Sequence, residues 1–187
     1  MKLEALLNRF LLHPPPPSQS YNGEIEAAVL VPLQLVDGQL QIVFTRRPDD
    51  IPHHPNQICF PGGKREPGDA DLMATALRET EEELGISAST IKVLGVLPSR
   101  ITRTGFFVQP FLGMLSHDQF SPDPIEVAEL FSLPVSEILQ PHAFHGETVA
   151  INNEQLEIFG SYSSNGLIWG MTAHILVDLI KQLNAPT

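Results

Sequence analysis

An amphipathic helix with two differently built faces constrains the fold of this 187-residue chain more than any other feature. The segment Asp71 to Leu84 has the strongest helical pattern in the sequence, and Gly85 follows it where a left-handed residue commonly ends a helix. At i, i+4, i+7 and i+11 stand Met73, Leu77, Thr80 and Leu84, which predict a face that packs against a sheet. The chain must therefore supply strands for this helix to cover.

Apolar segments typical of strands lie on both sides of that helix. Two of them, Ala27 to Leu35 and Leu40 to Thr45, flank Asp37-Gly38, a two-residue turn signal that predicts a β-hairpin. Later in the chain we expect strands at Ile91 to Leu97, Phe106 to Leu115 and Val127 to Phe131, a helical turn at Pro134 to Leu139 and, after a poorly patterned stretch, a closing helix at Leu167 to Leu183. Because strands and helices mix without regular βαβ alternation, the pattern predicts an α+β sandwich rather than a doubly wound sheet.

The remaining segments are a short N-terminal helix and two proline-rich stretches. Apolar residues from Leu3 to Leu11 recur at helical spacing, and Pro14 to Pro17 then form a stiff, extended connector. Arg46 to Pro61, which contains His53-His54, is typical of a long surface loop. The length predicts one domain, 1–187, in which residues 1–20 are the helix and the connector. These first residues could pair two chains as a homodimer or cover a sheet edge.

Charge and composition argue against several classes of protein. Twenty-two acidic residues against eleven basic ones give a formal charge of −11, which disfavours a surface that neutralises the phosphates of nucleic acid or anionic lipid. The single cysteine, Cys59, excludes an internal disulfide framework and multi-cysteine metal sites. No apolar run approaches the ~20 residues that span a bilayer. We therefore expect a cytoplasmic protein with no nucleic-acid or membrane partner.

Four glutamates stand within five positions of the predicted helix. At about 100° per residue, Glu79, Glu82 and Glu83 fall within roughly 100° on one face, whereas Glu81 points nearly opposite. Carboxylates one turn apart repel each other, and a divalent cation reverses that repulsion. Oxygen ligands without a cysteine or histidine in the motif suit Mg²⁺ or Mn²⁺, which commonly serve phosphate chemistry. A solvated acidic face is the alternative interpretation.

An arginine and a glycine pair accompany the glutamates. Arg78 lies four residues before Glu82, close enough to orient that carboxylate through a charge-assisted hydrogen bond. Gly62-Gly63 lets the backbone approach a metal or a phosphate, because no side chain intervenes. Together these residues favour a metal-dependent phosphate site over a merely solvated helix face.

The combination resembles the box of the Nudix hydrolases, G-x5-E-x7-R-E-U-x-E-E-x-G-U, where U is a bulky apolar residue. Arg78 to Ile86 match the second half except at Thr80, while Asp69 stands where glutamate is usual and Arg78 comes one residue late. Glu66 is an alternative to Asp69, and either residue could instead begin or cap the helix.

This resemblance implies a fold and a set of ligands. The fold is an α/β/α sandwich with a mixed sheet, and the metal, Mg²⁺ or Mn²⁺, is held by Glu79, Glu82 and Glu83, with the carbonyl of Gly63 as a further ligand. The reaction implied is attack of water on a diphosphate. For the general base, Glu82 or Glu83 within the box and Glu126 or Glu129 outside it are the open alternatives.

Segments outside the box resemble the Nudix subgroup that cleaves coenzyme A. They are Ala27 to Pro32, Thr45-Arg46-Arg47, Phe60 to Gly63 and Ile168 to Ala173; in the subgroup's upstream signature Pro48, Pro52 and Asn56 depart from the pattern. The resemblance implies hydrolysis of coenzyme A or acyl-CoA to 3′,5′-ADP and 4′-phosphopantetheine or its acyl form. The alternatives are a Nudix enzyme for ADP-ribose, nucleotide sugars or dinucleotides, and an inactive Nudix-fold binding module.

Basic and aromatic residues near the box are candidates for substrate contacts. Eight of the eleven basic residues lie between positions 46 and 103, and Arg47, Lys64 and Arg65 are the best placed for phosphates. Phe106 is a candidate to stack on an adenine, although one ring of Phe106-Phe107 should enter the core. Trp169, on the predicted closing helix, and Cys59 are more typical of packing.

Overall fold

A mixed β-sheet forms the centre of the protein. The computed structural model describes residues 2–15, 22–52, 54–116, 119–151 and 154–185, so Pro16 and Pro17 of the predicted connector and His53 lie outside the described residues. Eight strands belong to this sheet within those ranges. They are β1 (Ile25–Val36), β2 (Gln39–Arg46), β3 (Ile58–Cys59), β4 (Gly62–Lys64), β5 (Ile91–Val96), β6 (Arg100–Ile101), β7 (Phe106–Leu115) and β8 (Glu129–Pro134).

Strand β1 lies at the middle of the sheet and sets its register. It pairs antiparallel with β2 and β4 and parallel with β7, while β8 pairs antiparallel with Gln41 to Arg46 of β2. Asp37 and Gly38 turn between β1 and β2 with φ of 50° and 75°. Two successive positive φ angles are typical of the type I′ turn, so the predicted hairpin is confirmed.

Helices cover both faces of the sheet. Helix α2 (Leu72–Leu84) packs on the face that carries Ala28, Leu30 and Val43, and α1 (Leu3–Leu12) and α4 (Gly170–Leu183) cover the face that carries Val31, Leu33 and Phe44. A single turn, α3 (Val135–Ile138), follows β8, and a 3₁₀ turn (Ala88–Thr90) precedes β5. The alternation of neighbouring residues between two apolar clusters is the period expected of strands buried on both sides. The predicted α+β sandwich is confirmed.

Helix α2 ends as predicted, and its buried face differs from the predicted one at Met73. The side chain of Asp71 caps its start by accepting from the backbone N–H of Ala74 at 2.8 Å, and Gly85 ends it at φ 67°. The buried residues are Thr75, Ala76, Thr80, Glu83 and Leu84, whereas Met73 is exposed. The predicted stripe was therefore wrong at Met73, because the helix is rotated to bring its smaller residues and Glu83 against the sheet.

The C-terminal part of the chain contains a second sheet that the sequence pattern did not predict. Three antiparallel strands, β9 (His145–Ile151), β10 (Glu154–Ser163) and β11 (Gly166–Trp169), precede α4. The predicted helix from Leu167 was wrong in its first turn, and Trp169 ends a strand, because Gly166 and Gly170 both adopt positive φ and break the helical path. The predicted strand at Val127 begins instead at Glu129, since the N–H of Val127 closes a turn on the carbonyl of Asp123.

No helix within the described ranges is long and apolar enough to cross a membrane.

Candidate active site

Three carboxylates meet at the C-terminal half of α2. Glu79 and Glu83 lie one turn apart on the helix, and Glu126 comes from the loop before β8; one carboxylate oxygen of each lies within 4.8 Å of the other two. Glu83 is 3% exposed, Glu79 is half-buried and Glu126 is exposed. The cluster is thus a shallow site with one deeply buried acid at its base.

Backbone hydrogen bonds hold the loop that carries Glu126 against the helix. The N–H groups of Ser121 and Asp123 donate to the carbonyls of Leu84 and Glu83 at 2.9 and 3.0 Å. These carbonyls belong to the last turn of α2, where no helical partner remains for them. The helix end therefore fixes the loop, and the loop places Glu126 beside the helical glutamates.

Glu79 and Glu83 are unfavourable as free anions. Burial, together with the charges of Glu126 and Glu79, raises the pKa of Glu83 to about 8, despite the opposing hydrogen bond from the N–H of Gly62 at 3.0 Å. Burial also raises the pKa of Glu79. A bound cation would supply the missing positive charge, so the oxygen donors of Glu79, Glu83 and Glu126 fit a hard divalent ion.

The glycine pair on β4 lies directly against these carboxylates. Gly63 pairs with Ala28 of β1, and a Cβ added to Gly63 would lie 2.4 Å from Oε1 of Glu79. A Cβ on Gly62 would meet the backbone oxygen of Ala28 at 2.3 Å. Any larger residue would therefore displace either the strand or Glu79. The approach of this pair to a metal or a phosphate stays a prediction.

Arg78 joins the acidic helix to strand β4. Its Nη1 donates to Oε2 of Glu82 at 2.8 Å, the predicted contact, and its Nη2 lies 3.0 Å from Oε1 of Glu79. The same Nη2 donates to the carbonyl of Lys64 at 3.0 Å. Glu82 remains largely exposed, with 55% of its side chain accessible. The guanidinium thus fixes two of the predicted metal ligands relative to the strand.

Asp69 is the buried anchor of Arg78. Its Oδ1 and Oδ2 accept from Nε and Nη2 of Arg78 at 3.0 and 3.1 Å, and Oδ2 also accepts from the Thr75 hydroxyl and the Glu66 N–H at 2.9 Å. The bond from Arg78 holds the pKa of this carboxyl well below its usual range. The sequence left Asp69 and Glu66 open as helix caps, but Asp71 is the cap.

The predicted substrate residues lie in different environments. Nζ of Lys64 lies 5.4 Å from the centroid of the partly buried Phe106 ring, while Phe107 enters the core as expected. Arg65 forms an ion pair with Glu26 at 2.8 Å. The Nε of Arg47 is buried and has no hydrogen-bond partner among the described residues.

Arg47 lies within electrostatic range of Glu83. The pKa of Glu83, which burial raises, is lowered in part by the positive charge of Arg47. A buried Nε without a hydrogen-bond partner is unusual, because a buried polar group without a partner costs free energy. Among the residues predicted to contact phosphates, Arg47 is therefore the one with a buried N–H donor that a phosphate oxygen could accept from.

Two further residues considered as candidates from the sequence, Glu129 and Cys59, have partners within the fold. Glu129 forms an ion pair with Arg46 at 2.7 Å. Burial raises the pKa of Cys59 to about 11, and its sulfur lies 3.2 Å from the Thr45 hydroxyl. His54 is exposed. Of the two loop glutamates that the sequence proposed as bases, the structure brings Glu126 to the cluster and leaves Glu129 on the neighbouring strand.

Comparison with known proteins matches residues 25–155 to the NUDIX domain. The chain is 35% identical over 185 residues to a protein of Photorhabdus laumondii subsp. laumondii described as an uncharacterized Nudix hydrolase, NudL, with 98% of each chain covered. A protein of the same description from Yersinia enterocolitica is 35% identical over 183 residues and covers 97% of this chain and 93% of its own.

Solved structures agree on the fold. A MutT/nudix family protein from Enterococcus faecalis has a TM-score of 0.53 at 20% identity, covering 97% of this chain and 68% of its own. The NUDIX domain of Shewanella oneidensis NrtR, solved with ADP ribose, has a TM-score of 0.51 at 18% identity, covering 71% and 85%.

Proposed function

The chain belongs to the Nudix hydrolase family, and on that premise we propose that it hydrolyses the diphosphate linkage of coenzyme A or of an acyl-CoA. Membership makes the protein a pyrophosphohydrolase that acts with a divalent metal ion. The proposed products are 3′,5′-ADP and 4′-phosphopantetheine or its acyl form. The observation that most directly supports hydrolysis is the cluster of Glu79, Glu83 and Glu126 at the C-terminal half of α2.

The proposed metal ligands are Glu79, Glu82, Glu83 and the carbonyl of Gly63, and the proposed ion is Mg²⁺ or Mn²⁺. Among the described residues it is Glu126, rather than Glu82, whose carboxylate lies within 4.8 Å of those of Glu79 and Glu83, so Glu126 is a further candidate ligand. When bound, such an ion would neutralise charge on the diphosphate oxygens and lower the pKa of an attacking water. Arg78 positions Glu79 and Glu82 through its two ion pairs. Asp69 in turn holds Arg78 in place, so that both acids keep their orientation without a substrate.

A carboxylate must accept the proton of the attacking water. Glu126 is exposed and lies within 4.8 Å of the helical acids, which supports it as the base from outside the box. Glu82 and Glu83 remain the alternatives within the box. A Glu126→Gln variant that keeps metal binding but loses turnover would separate the roles of base and ligand.

Substrate recognition is proposed for Arg47, Lys64, Arg65 and Phe106. Arg47 has the strongest support, because its buried Nε lacks a partner and it belongs to the segment that resembles the coenzyme A subgroup. Lys64 and Phe106 lie together and would offer a charge and a ring face to a nucleotide. Arg65 is the weaker candidate, since Glu26 already pairs with it.

The domain organisation and the cellular location of the protein are also proposals. We assign residues 1–187 to one domain and place the protein in the cytoplasm, with a small diphosphate rather than a nucleic acid or a membrane as its partner. Pairing of two chains is also proposed.

A substrate panel at fixed Mg²⁺, with products identified by mass, tests the proposed activity. We expect the highest kcat/KM for coenzyme A or an acyl-CoA. Faster cleavage of ADP-ribose or a dinucleotide would instead assign the site to those substrates, a candidate that gains support from the ADP ribose bound to the Shewanella domain. Tight binding of coenzyme A without products, with either Mg²⁺ or Mn²⁺, would favour a binding module.

Two variants of α2 serve as a matched pair for this assay. Glu83→Gln should lower turnover by at least about a hundredfold while the fold is retained. Glu81→Gln should behave like the wild type, because Glu81 is exposed on the other side of the helix, where it accepts from the N–H of Ala88. Equal turnover in both variants would remove Glu83 from the mechanism.

A further inference from the structure

Arg46, at the end of β2, joins three parts of the chain through one guanidinium. Its Nε donates to Oε2 of Glu129 on β8 at 2.7 Å, and its Nη2 donates to the carbonyl of Asn165 in the turn between β10 and β11. The guanidinium carbon lies 5.9 Å from the centroid of the Phe131 ring. We define the Arg46 clamp as Arg46, Glu129, Phe131 and Asn165. The clamp connects the central sheet to the three-stranded sheet.

Both carboxylate oxygens of Glu129 accept hydrogen bonds within the clamp. Oε2 accepts from Arg46, and Oε1 accepts from the side-chain amide of Asn165 at 3.2 Å. A carboxylate whose charge is compensated by a guanidinium, and whose two oxygens already accept hydrogen bonds, is poorly suited to take a proton from water. Of the two loop glutamates that the sequence proposed as bases, Glu129 therefore fits a supporting role, and Glu126 is the one that can react.

The clamp adjoins the loop that carries Glu126. The N–H of Ala128 donates to the carbonyl of Arg46 at 2.9 Å, and Glu129 is the next residue. Within the loop, the N–H of Glu126 donates to the carbonyl of Asp123 at 3.1 Å and forms a turn. The end of α2 holds the first side of this turn through hydrogen bonds, and Arg46 holds the second side.

We propose that Arg46 is a positioning residue for Glu126, a role that rests on the proposed function of the site. Glu126 is exposed and belongs to a turn, so its place beside the helical acids depends on the segments at the two ends of that turn. The backbone of Arg46 holds one of these segments, and its side chain holds Glu129, three residues after Glu126. A displacement of a reacting group by about 1 Å can lower the rate by two orders of magnitude.

The geometry of the clamp requires arginine rather than lysine. A guanidinium is planar and directs its N–H donors along fixed lines, whereas an ammonium is a point charge that can pair with Glu129 without also reaching the turn between β10 and β11. The turn packs directly on the guanidinium, since a Cβ built on Gly166 would lie 3.9 Å from both terminal nitrogens of Arg46. Arg46→Lys therefore keeps the charge but removes the connection between the two sheets.

Steady-state kinetics of the full-length chain tests this role, with the diphosphate that the chain cleaves fastest as substrate. Arg46→Lys should lower kcat about tenfold or more and change KM less, because the loop loses its support while the charge is kept. The same substitution is then made in the Glu126→Gln background, where it should change kcat by less than about twofold. A residue that acts through Glu126 has no further effect once that carboxylate is gone.

Arg100→Lys is the matched control for Arg46→Lys. Arg100 also forms a two-armed ion pair, in which its Nε and Nη2 donate to Oδ2 and Oδ1 of Asp178 on α4 at 2.8 Å. Its side chain is 29% exposed, compared with 20% for Arg46, so the two substitutions remove similar interactions. Arg100→Lys should leave kcat within about twofold of the wild type, and both variants should keep the wild-type circular dichroism spectrum.

Four outcomes would overturn the inference. They are an unchanged kcat in Arg46→Lys, an equal loss in Arg100→Lys, a loss in Arg46→Lys that persists undiminished in the Glu126→Gln background, and wild-type turnover in Glu126→Gln. Each of these leaves the proposed hydrolysis standing, because the wild type is active in all four. A wild type that cleaves no diphosphate of the substrate panel would instead overturn the proposed function, and with it the role of Arg46.

Discussion

We predict that raising the pH destabilises the metal-free protein through Glu83. Burial raises the pKa of this carboxyl from an ordinary 4.5 to about 8 in the folded chain. Between these two values the unfolded chain has lost the Glu83 proton, whereas the folded chain keeps it. The folded state then binds more protons, so this contribution to stability is fully present below pH 4.5 and is lost as the pH rises through about 8.

The interval between the two pKa values gives the size of the loss. Each pKa unit corresponds to about 1.4 kcal/mol, which amounts to about 4 to 5 kcal/mol over the whole interval and about 3 kcal/mol by pH 7. The free energy of unfolding of a domain is only about 5–15 kcal/mol, so the effect is large. A divalent ion that binds the folded carboxylates would stabilise the folded chain by mass action and so reduce this loss of stability.

Urea unfolding followed by circular dichroism, in the presence of a chelator, measures this dependence. The free energy of unfolding of the wild type should fall more steeply with rising pH than that of Glu83→Gln. The free energy of unfolding of Glu81→Gln should follow that of the wild type. The comparison of variants is needed because burial lowers the pKa of His174, which changes stability in the opposite direction. Parallel pH curves for the wild type and Glu83→Gln would refute the reasoning.

Three further predictions concern the groups that support the cluster. Asp69→Asn should remove the charged partner of Arg78, destabilise the fold by about 1–3 kcal/mol and lower turnover; unchanged urea midpoint and turnover would contradict the anchoring role. Gly63→Ala should weaken Mn²⁺ binding about tenfold or more, because the added carbon displaces Glu79, and titration calorimetry measures that loss. Arg47→Gln should raise the KM for coenzyme A about tenfold with a smaller change in kcat, and an unchanged KM in steady-state kinetics would exclude a substrate contact.

The sequence predicted correctly those elements that depend on one or two neighbouring residues. The hairpin around Asp37-Gly38 and the end of α2 at Gly85 both follow from residues that tolerate positive φ. The three-stranded sheet escaped prediction because apolar and polar residues occur on both of its faces: Tyr162 and Leu167 are exposed while Phe159 and Ile168 are buried, so that the usual alternation is lost.

The site was predictable only as far as helix geometry reaches. A period of 3.6 residues predicts Glu79, Glu82 and Glu83 on one face. The oxygens of Glu79 and Glu83 do converge, whereas Glu82 pairs with Arg78 instead of joining the cluster found among the described residues. The approach of Glu126 depends on hydrogen bonds between its loop and the end of α2, which no local pattern contains. The role of Asp69 as the anchor of Arg78 likewise becomes visible only in the folded structure, where the two side chains form an ion pair. The resemblance to the box had singled out Asp69, but not this role.

The central claim is that the acidic cluster holds a divalent cation together with the diphosphate that is cleaved. Titration calorimetry of Mg²⁺ and Mn²⁺, with a nonhydrolysable coenzyme A mimic present, tests it most directly. We predict ion uptake by the wild type and by Glu81→Gln, and an affinity at least about tenfold weaker in Glu83→Gln. No uptake of either ion by the wild type, with or without the mimic, would contradict the claim.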